Sequence, residues 1–91
     1  MSITVKIPTQ LRAVTAGEAE TTVDDAGTVG EVLDGLYERY DGLRERIAED
    51  GDLRRFVNVY VSGEDIRFQD GLQTKIDEGD EVTILPAVAG G

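Results

Sequence analysis

From residue 29 to residue 40 one apolar stripe runs along the chain: Val29, Val32, Leu33, Leu36, Tyr37 and Tyr40 recur at three- and four-residue spacing. That spacing predicts an amphipathic helix, which has to cover something apolar. The segments around it alternate instead, so the covered surface is a sheet. Ile3, Val5 and Ile7 face one way, with Ser2, Thr4 and Lys6 opposite, and Pro8 closes the segment. After a turn at Thr15-Ala16-Gly17-Glu18, Ala19, Thr21 and Val23 alternate with Glu20 and Thr22, so a hairpin opens the domain. Phe56-Val57-Asn58-Val59-Tyr60-Val61 carries the strongest strand pattern, three valines on one face and Phe56, Asn58 and Tyr60 on the other. Ser62-Gly63-Glu64-Asp65 reads as a turn and Ile66-Arg67-Phe68 as a short return strand. Asp77-Glu78-Gly79-Asp80 is a further turn, leading into Val82-Thr83-Ile84-Leu85, which Pro86 ends.

The helix boundaries have their own signals. Thr28-Val29-Gly30-Glu31 fits a capping box, in which the Thr28 hydroxyl and the Glu31 carboxylate each satisfy an orphan N–H. Asp41-Gly42 stops the helix, and Leu43 and Ile47, four apart among charged residues, predict a second short helical turn. Gly35 falls on the polar side of the stripe and reads as a weak point, about 0.5–1 kcal/mol worse than alanine. Hairpin, helix, strand, short strand and strand, in that order, predict a two-layer α+β domain.

Composition narrows the chemistry. At 91 residues the chain supports one core. It has no cysteine and no histidine, which removes disulfides, thiol nucleophiles, a neutral-pH imidazole base and the usual zinc ligands. No catalytic residue and no metal site is therefore expected. A net charge of −10 repels phosphate backbones and anionic membranes, so neither nucleic acid nor membrane is an expected partner, and a protein partner selected by charge should be basic. The alternating start is unlike the apolar run of a signal peptide, and a cytoplasmic location is the expectation. The acidic clusters at Asp24-Asp25, Glu49-Asp50-Gly51-Asp52 and Asp77-Glu78-Gly79-Asp80-Glu81 lack calcium-loop spacing and read as solvated turns, and Arg54-Arg55 reads as surface salt-bridge material.

The last five residues, Ala87-Val88-Ala89-Gly90-Gly91, have small side chains and follow a proline. The chain thus divides into a folded body, residues 1–86, and a flexible tail, residues 87–91. Two terminal glycines combine minimal bulk with wide conformational access, so they can enter a narrow tunnel. Five extended residues reach roughly 17 Å, enough to carry a carboxylate from this body into another protein's active site.

At this point the chain resembles a known family. Val5-Lys6-Ile7-Pro8, Leu11-Arg12, Arg55-Phe56-Val57-Asn58-Val59-Tyr60-Val61, Gly79-Asp80-Glu81-Val82-Thr83-Ile84-Leu85-Pro86 and the Gly-Gly ending are similar, in order, to the ThiS/MoaD sulfur carriers. The resemblance implies a β-grasp, ubiquitin-like fold: a mixed sheet of about four to five strands with one main helix packed across it. It implies that an E1-like enzyme, using Mg-ATP that it binds itself, adenylates the Gly91 carboxylate for conversion to a thiocarboxylate. Gly90, Ala89, Val88 and Ala87 would be the residues recognised along the tail, and this chain would hold no cofactor tightly. Within the family the likeness is greatest to actinobacterial carriers for cysteine biosynthesis. That implies an acceptor that is a pyridoxal-phosphate cysteine synthase using O-phosphoserine, with a JAMM-type metalloprotease releasing the product. The small subunit of molybdopterin synthase is next, with that enzyme's large subunit as acceptor. Family members dock through the sheet face beside the tail, which here would present Phe56, Asn58, Tyr60 and Leu85. The competing reading has Phe56 and Tyr60 covering the sheet edge or packing under the loop from Glu49 to Leu53. Two further classes stand beside the carrier: a ubiquitin-like modifier that conjugates Gly91 to lysines, and an interaction domain with a dispensable tail.

Overall fold

In the computed structural model, residues 2–49, 52–53 and 57–86 are described. The opening hairpin pairs β1 (Ser2–Lys6) with β2 (Glu20–Asp24), antiparallel, Ile3 opposite Val23. The connection is not a tight turn. It holds a 3-10 helix, Thr9–Val14, which buries Leu11 and then reverses through Ala16 and Gly17, both at positive φ. Next come α1 (Val29–Arg39), α2 (Leu43–Ile47) and a minimal hairpin of β3 (Ala48–Glu49) with β4 (Asp52–Leu53). β5 (Val57–Val61), β6 (Glu64–Asp65) and β7 (Glu81–Pro86) follow, with 3-10 turns at Ile66–Phe68 and Gly71–Gln73 between the last two. The main sheet has the order β2-β1-β7-β5-β6, and β1 and β7 run parallel at its centre. It is the mixed five-stranded sheet with one helix across it that the sequence implies.

The core lies between α1 and the inner sheet face. Val29, Val32, Leu33 and Leu36 meet Ile3 and Val5 of β1, the three valines of β5, and Val82 and Ile84 of β7, all buried. Burying each such aliphatic side chain contributes roughly 1.5–3 kcal/mol, so period-2 and period-3.6 patterning together select this arrangement. At the helix start the Glu31 N–H donates to Thr28 Oγ1 at 3.2 Å, as the capping box requires. The Glu31 carboxylate reaches one residue further than expected and accepts the Gly27 N–H at 2.7 Å. At the far end α1 stops earlier than the expected Asp41-Gly42, at Arg39 with Tyr40 in extended conformation, and Gly42, at φ +86°, instead starts α2, where Leu43 and Ile47 are both buried.

Two expectations are corrected. Ile66-Arg67-Phe68 is not a strand. The return strand is Glu64–Asp65, and residues 66–68 form a 3-10 turn because the Asp65 carboxylate accepts the Arg67 N–H at 2.8 Å, closing the backbone locally. Gly35 is not on an idle polar face. A Cβ there would lie 2.9 Å from Val23 Cγ1, so the missing side chain lets β2 approach the helix flank. Four residues on, Arg39 donates from the same flank to Thr21 Oγ1 at 2.6 Å and to the Thr22 carbonyl at 2.8 Å. That contact covers part of the free edge of β2, which would otherwise be open to another strand.

Candidate functional site

The outer sheet face is built from residues of opposite parity to the core. Across β5 and β7, Asn58 lies opposite Leu85 and Tyr60 opposite Thr83. Thr83 is in turn in register with Lys6 of β1, and Lys6 with Glu20 of β2. Asn58 and Tyr60 are half-buried, whereas Leu85 is exposed at 46%. Three of the four residues expected to form the docking face therefore share one surface, and Phe56 lies outside the described residues. Glu49 and Leu53, the described ends of the loop offered as an alternative cover for Tyr60, line a groove on the helix layer.

The face has two characters. Towards β2 it is ionic: Lys6 Nζ and Glu20 Oε2 form an ion pair at 2.7 Å, and this bond, with the charges of Glu20 and Glu81, raises the Lys6 pKa. Towards β5 it is aromatic and aliphatic, through Tyr60 and Leu85. An apolar area rimmed by polar groups is the usual make-up of a protein contact surface.

This face adjoins the place where the chain leaves the body. Val57 is the register partner of Pro86, so β7 ends beside the start of β5. The Ser62 N–H donates to Glu81 O at 2.7 Å, which puts the hydrogen-bonded positions of this ladder at 81, 83 and 85. Pro86 falls between them, where its missing N–H costs the β5 ladder nothing. Ala87, Val88, Ala89, Gly90 and Gly91, the expected tail and attachment residues, lie outside the described residues, as do Arg54 and Arg55.

The helix layer carries a groove of about 460 Å³ between α1 and the β3–β4 hairpin. On its wall the Arg44 guanidinium stacks 4.9 Å above the Tyr37 ring, and burial pushes the Tyr37 hydroxyl up to about 12, with Arg44 opposing and Asp34 reinforcing the shift. No residue singled out from the sequence as a site falls there except Glu49 of the acidic turns. Those turns serve the backbone where they are described: the Asp80 carboxylate accepts the Asp77 N–H at 2.8 Å and the Ser62 hydroxyl at 3.0 Å. Among the described residues no group of three or more His, Cys, Asp or Glu could hold a metal ion, and no helix is long and apolar enough to cross a membrane.

A comparison with known families matches residues 5–91 to the ThiS family. The chain belongs to the ThiS family. Among ThiS-type relatives it is 49% identical to the sulfur carrier protein CysO of Mycobacterium tuberculosis, covering 100% of both chains. It is 48% identical over 69 residues to small archaeal modifier protein 3 of Haloferax volcanii, covering 76% of this chain and 75% of that one. The CysO chain in the crystal structure of the Amycolatopsis orientalis BexX/CysO complex superposes with a TM-score of 0.90 at 46% identity, over 98% of this chain and 99% of that one. The fold and the family membership expected from the sequence therefore hold, and this ThiS-family chain is a homologue of a sulfur carrier.

Proposed function

We propose that this protein carries sulfur as a thiocarboxylate on Gly91. The reading rests on one observation above others: the similarity to CysO extends over the entire chain, and the family match runs through residue 91. A carboxylate is a poor electrophile until one oxygen becomes a good leaving group. In the proposed cycle a Gly91 carboxylate oxygen attacks the α-phosphorus of ATP on an E1-like enzyme and pyrophosphate leaves. A sulfur donor then attacks the acyl carbon, AMP leaves, and the thiocarboxylate results. The Mg-ATP site belongs to the enzyme, and this chain is substrate and carrier. The absence of cysteine and histidine agrees with that division of labour.

The acceptor we propose is a pyridoxal-phosphate cysteine synthase, on which the terminal sulfur adds to an aminoacrylate formed from O-phosphoserine. A JAMM-type metalloprotease would release the product. Residues 87–90 would be read by the enzyme tunnels, and Asn58, Tyr60 and Leu85, with Phe56, would form the docking face. The work belongs in the cytoplasm, where ATP and the amino-acid substrate are available. Intact-mass spectrometry of protein recovered from its own cells is expected to show a fraction heavier by the replacement of one oxygen with sulfur. Removal of Gly91 should abolish that fraction. A heavier fraction that survives removal of Gly91 would place the sulfur elsewhere and sink the proposal.

The likeness to the Haloferax modifier supports a second reading, conjugation of Gly91 to lysines of other proteins. Immunoblots of cell lysate would then show a ladder that disappears with Gly91, whereas a single unchanged band rejects it.

A further inference from the structure

Among the described residues two large apolar side chains are exposed, Phe68 at 88% and Leu85 at 46%. Leu85 belongs to the expected docking face, but Phe68 comes from the turn after β6, beyond the edge of β5. Its neighbours hold that turn in place. Ile66 is buried in the core, the Arg67 N–H donates to the Asp65 carboxylate at 2.8 Å, and Arg67 Nη2 donates to the carbonyl of Val57 at 2.8 Å. The last bond decides the location. Val57 is the register partner of Pro86, and Leu85 lies opposite Asn58, so the Phe68 turn is tied to the end of the sheet from which the tail departs.

We propose that Phe68 is a docking residue, which with Leu85 forms an apolar contact for the adenylating enzyme that takes the tail. The inference rests on the carrier reading above. Five residues reach only roughly 17 Å, so an enzyme holding Gly91 has to press against this end of the body. The phenyl ring stands on a turn already fixed by hydrogen bonds, so little ordering is left to lose on contact. Among the described residues, Glu64, Asp65 and Asp70 flank it in sequence, and Arg67 is turned onto the Val57 carbonyl. The matching surface on the enzyme is therefore an apolar pocket with a basic rim. No strand pattern could have shown this, because residues 66 and 68 of a strand share a face, whereas Ile66 is buried and Phe68 exposed.

The test uses the full-length chain with the purified adenylating enzyme encoded in the same genome, followed by ATP–pyrophosphate exchange. Phe68→Ser is expected to raise KM for the carrier roughly 10- to 100-fold, the value of one buried phenyl side chain, and to leave kcat unchanged. Phe68→Leu should restore most of the affinity, and thermal unfolding of both variants should match the parent, since the ring touches little of the fold. A KM for Phe68→Ser equal to the parent's overturns the docking role, whatever kcat does. The chain lacking Gly91 separates the two levels. Exchange that persists without Gly91 rejects the carrier reading itself, whereas exchange that needs Gly91 but ignores Phe68 rejects only the contact.

Discussion

Replacing Gly35 with alanine pits two effects of similar size against each other, and the structure decides between them. An exposed helical glycine exchanged for alanine gains about 1 kcal/mol from propensity. Here the new Cβ would sit 2.9 Å from Val23 Cγ1, 3.8 Å from Cγ2 and 4.0 Å from Cβ, while carbons prefer about 3.5–4.0 Å. Val23 is buried, β-branched and paired with Ile3, so it cannot rotate out of the way cheaply. Overpacking of this kind costs about 1–3 kcal/mol, and the net expectation for Gly35→Ala is a loss of about 1 kcal/mol. For a domain of this size that lowers Tm by roughly 4–8 °C. In a Val23→Ala background the obstructing methyl groups are absent, and the same substitution should instead stabilise by about 0.5–1 kcal/mol. Urea unfolding followed by circular dichroism on all four variants yields the coupling as a double-mutant cycle, with m-values checked for constancy. If Gly35→Ala stabilises equally in both backgrounds, Gly35 is a plain helix defect and the contact with β2 counts for nothing.

Thr28→Ala removes the acceptor for the Glu31 N–H and should cost about 1 kcal/mol in the same urea experiment, with Thr28→Ser recovering most of it. Tyr37 supplies a pH test. Its hydroxyl, raised by burial to about 12, holds its proton in the folded chain at pH values where the unfolded chain, ionising near 10, has released it. The unfolded state therefore binds fewer protons between those values. The stabilisation is complete below pH 10 and disappears as pH rises towards 12. Difference absorbance titration of the parent against Tyr37→Phe should show the tyrosinate step near 12. A step at 10 would show the ring to be solvated.

The parts of this fold that could be read beforehand are those in which one face meets the core and the other meets water. The inward valines of β5, the alternation of β1 and the stripe of α1 report burial directly, and Thr28 reports the helix start through a local hydrogen bond. The 3-10 segments were illegible for the opposite reason. Thr9–Val14 buries one leucine and has no period, and the turn at 66–68 is set by a single side-chain acceptor, Asp65. Gly35 misled because a helical wheel knows only the layer beneath the helix, whereas an edge strand of the sheet comes up beside it. On the outer sheet face, parity grouped Asn58, Tyr60 and Leu85 as the strand register places them. Phe68 was placed by Arg67 and the Val57 carbonyl, a contact across ten residues that spacing does not encode.

The position of β7 bears on what happens when another protein draws on the chain beyond Pro86. Because that strand lies between β1 and β5, a pull along it is resisted by two ladders at once, and on the β1 side the strands run in the same direction. Their bonds have to yield together in shear, not open singly from an end as they would in an outermost strand. A pull applied at Pro86 therefore loads the middle of the sheet and does not peel an outer strand from it.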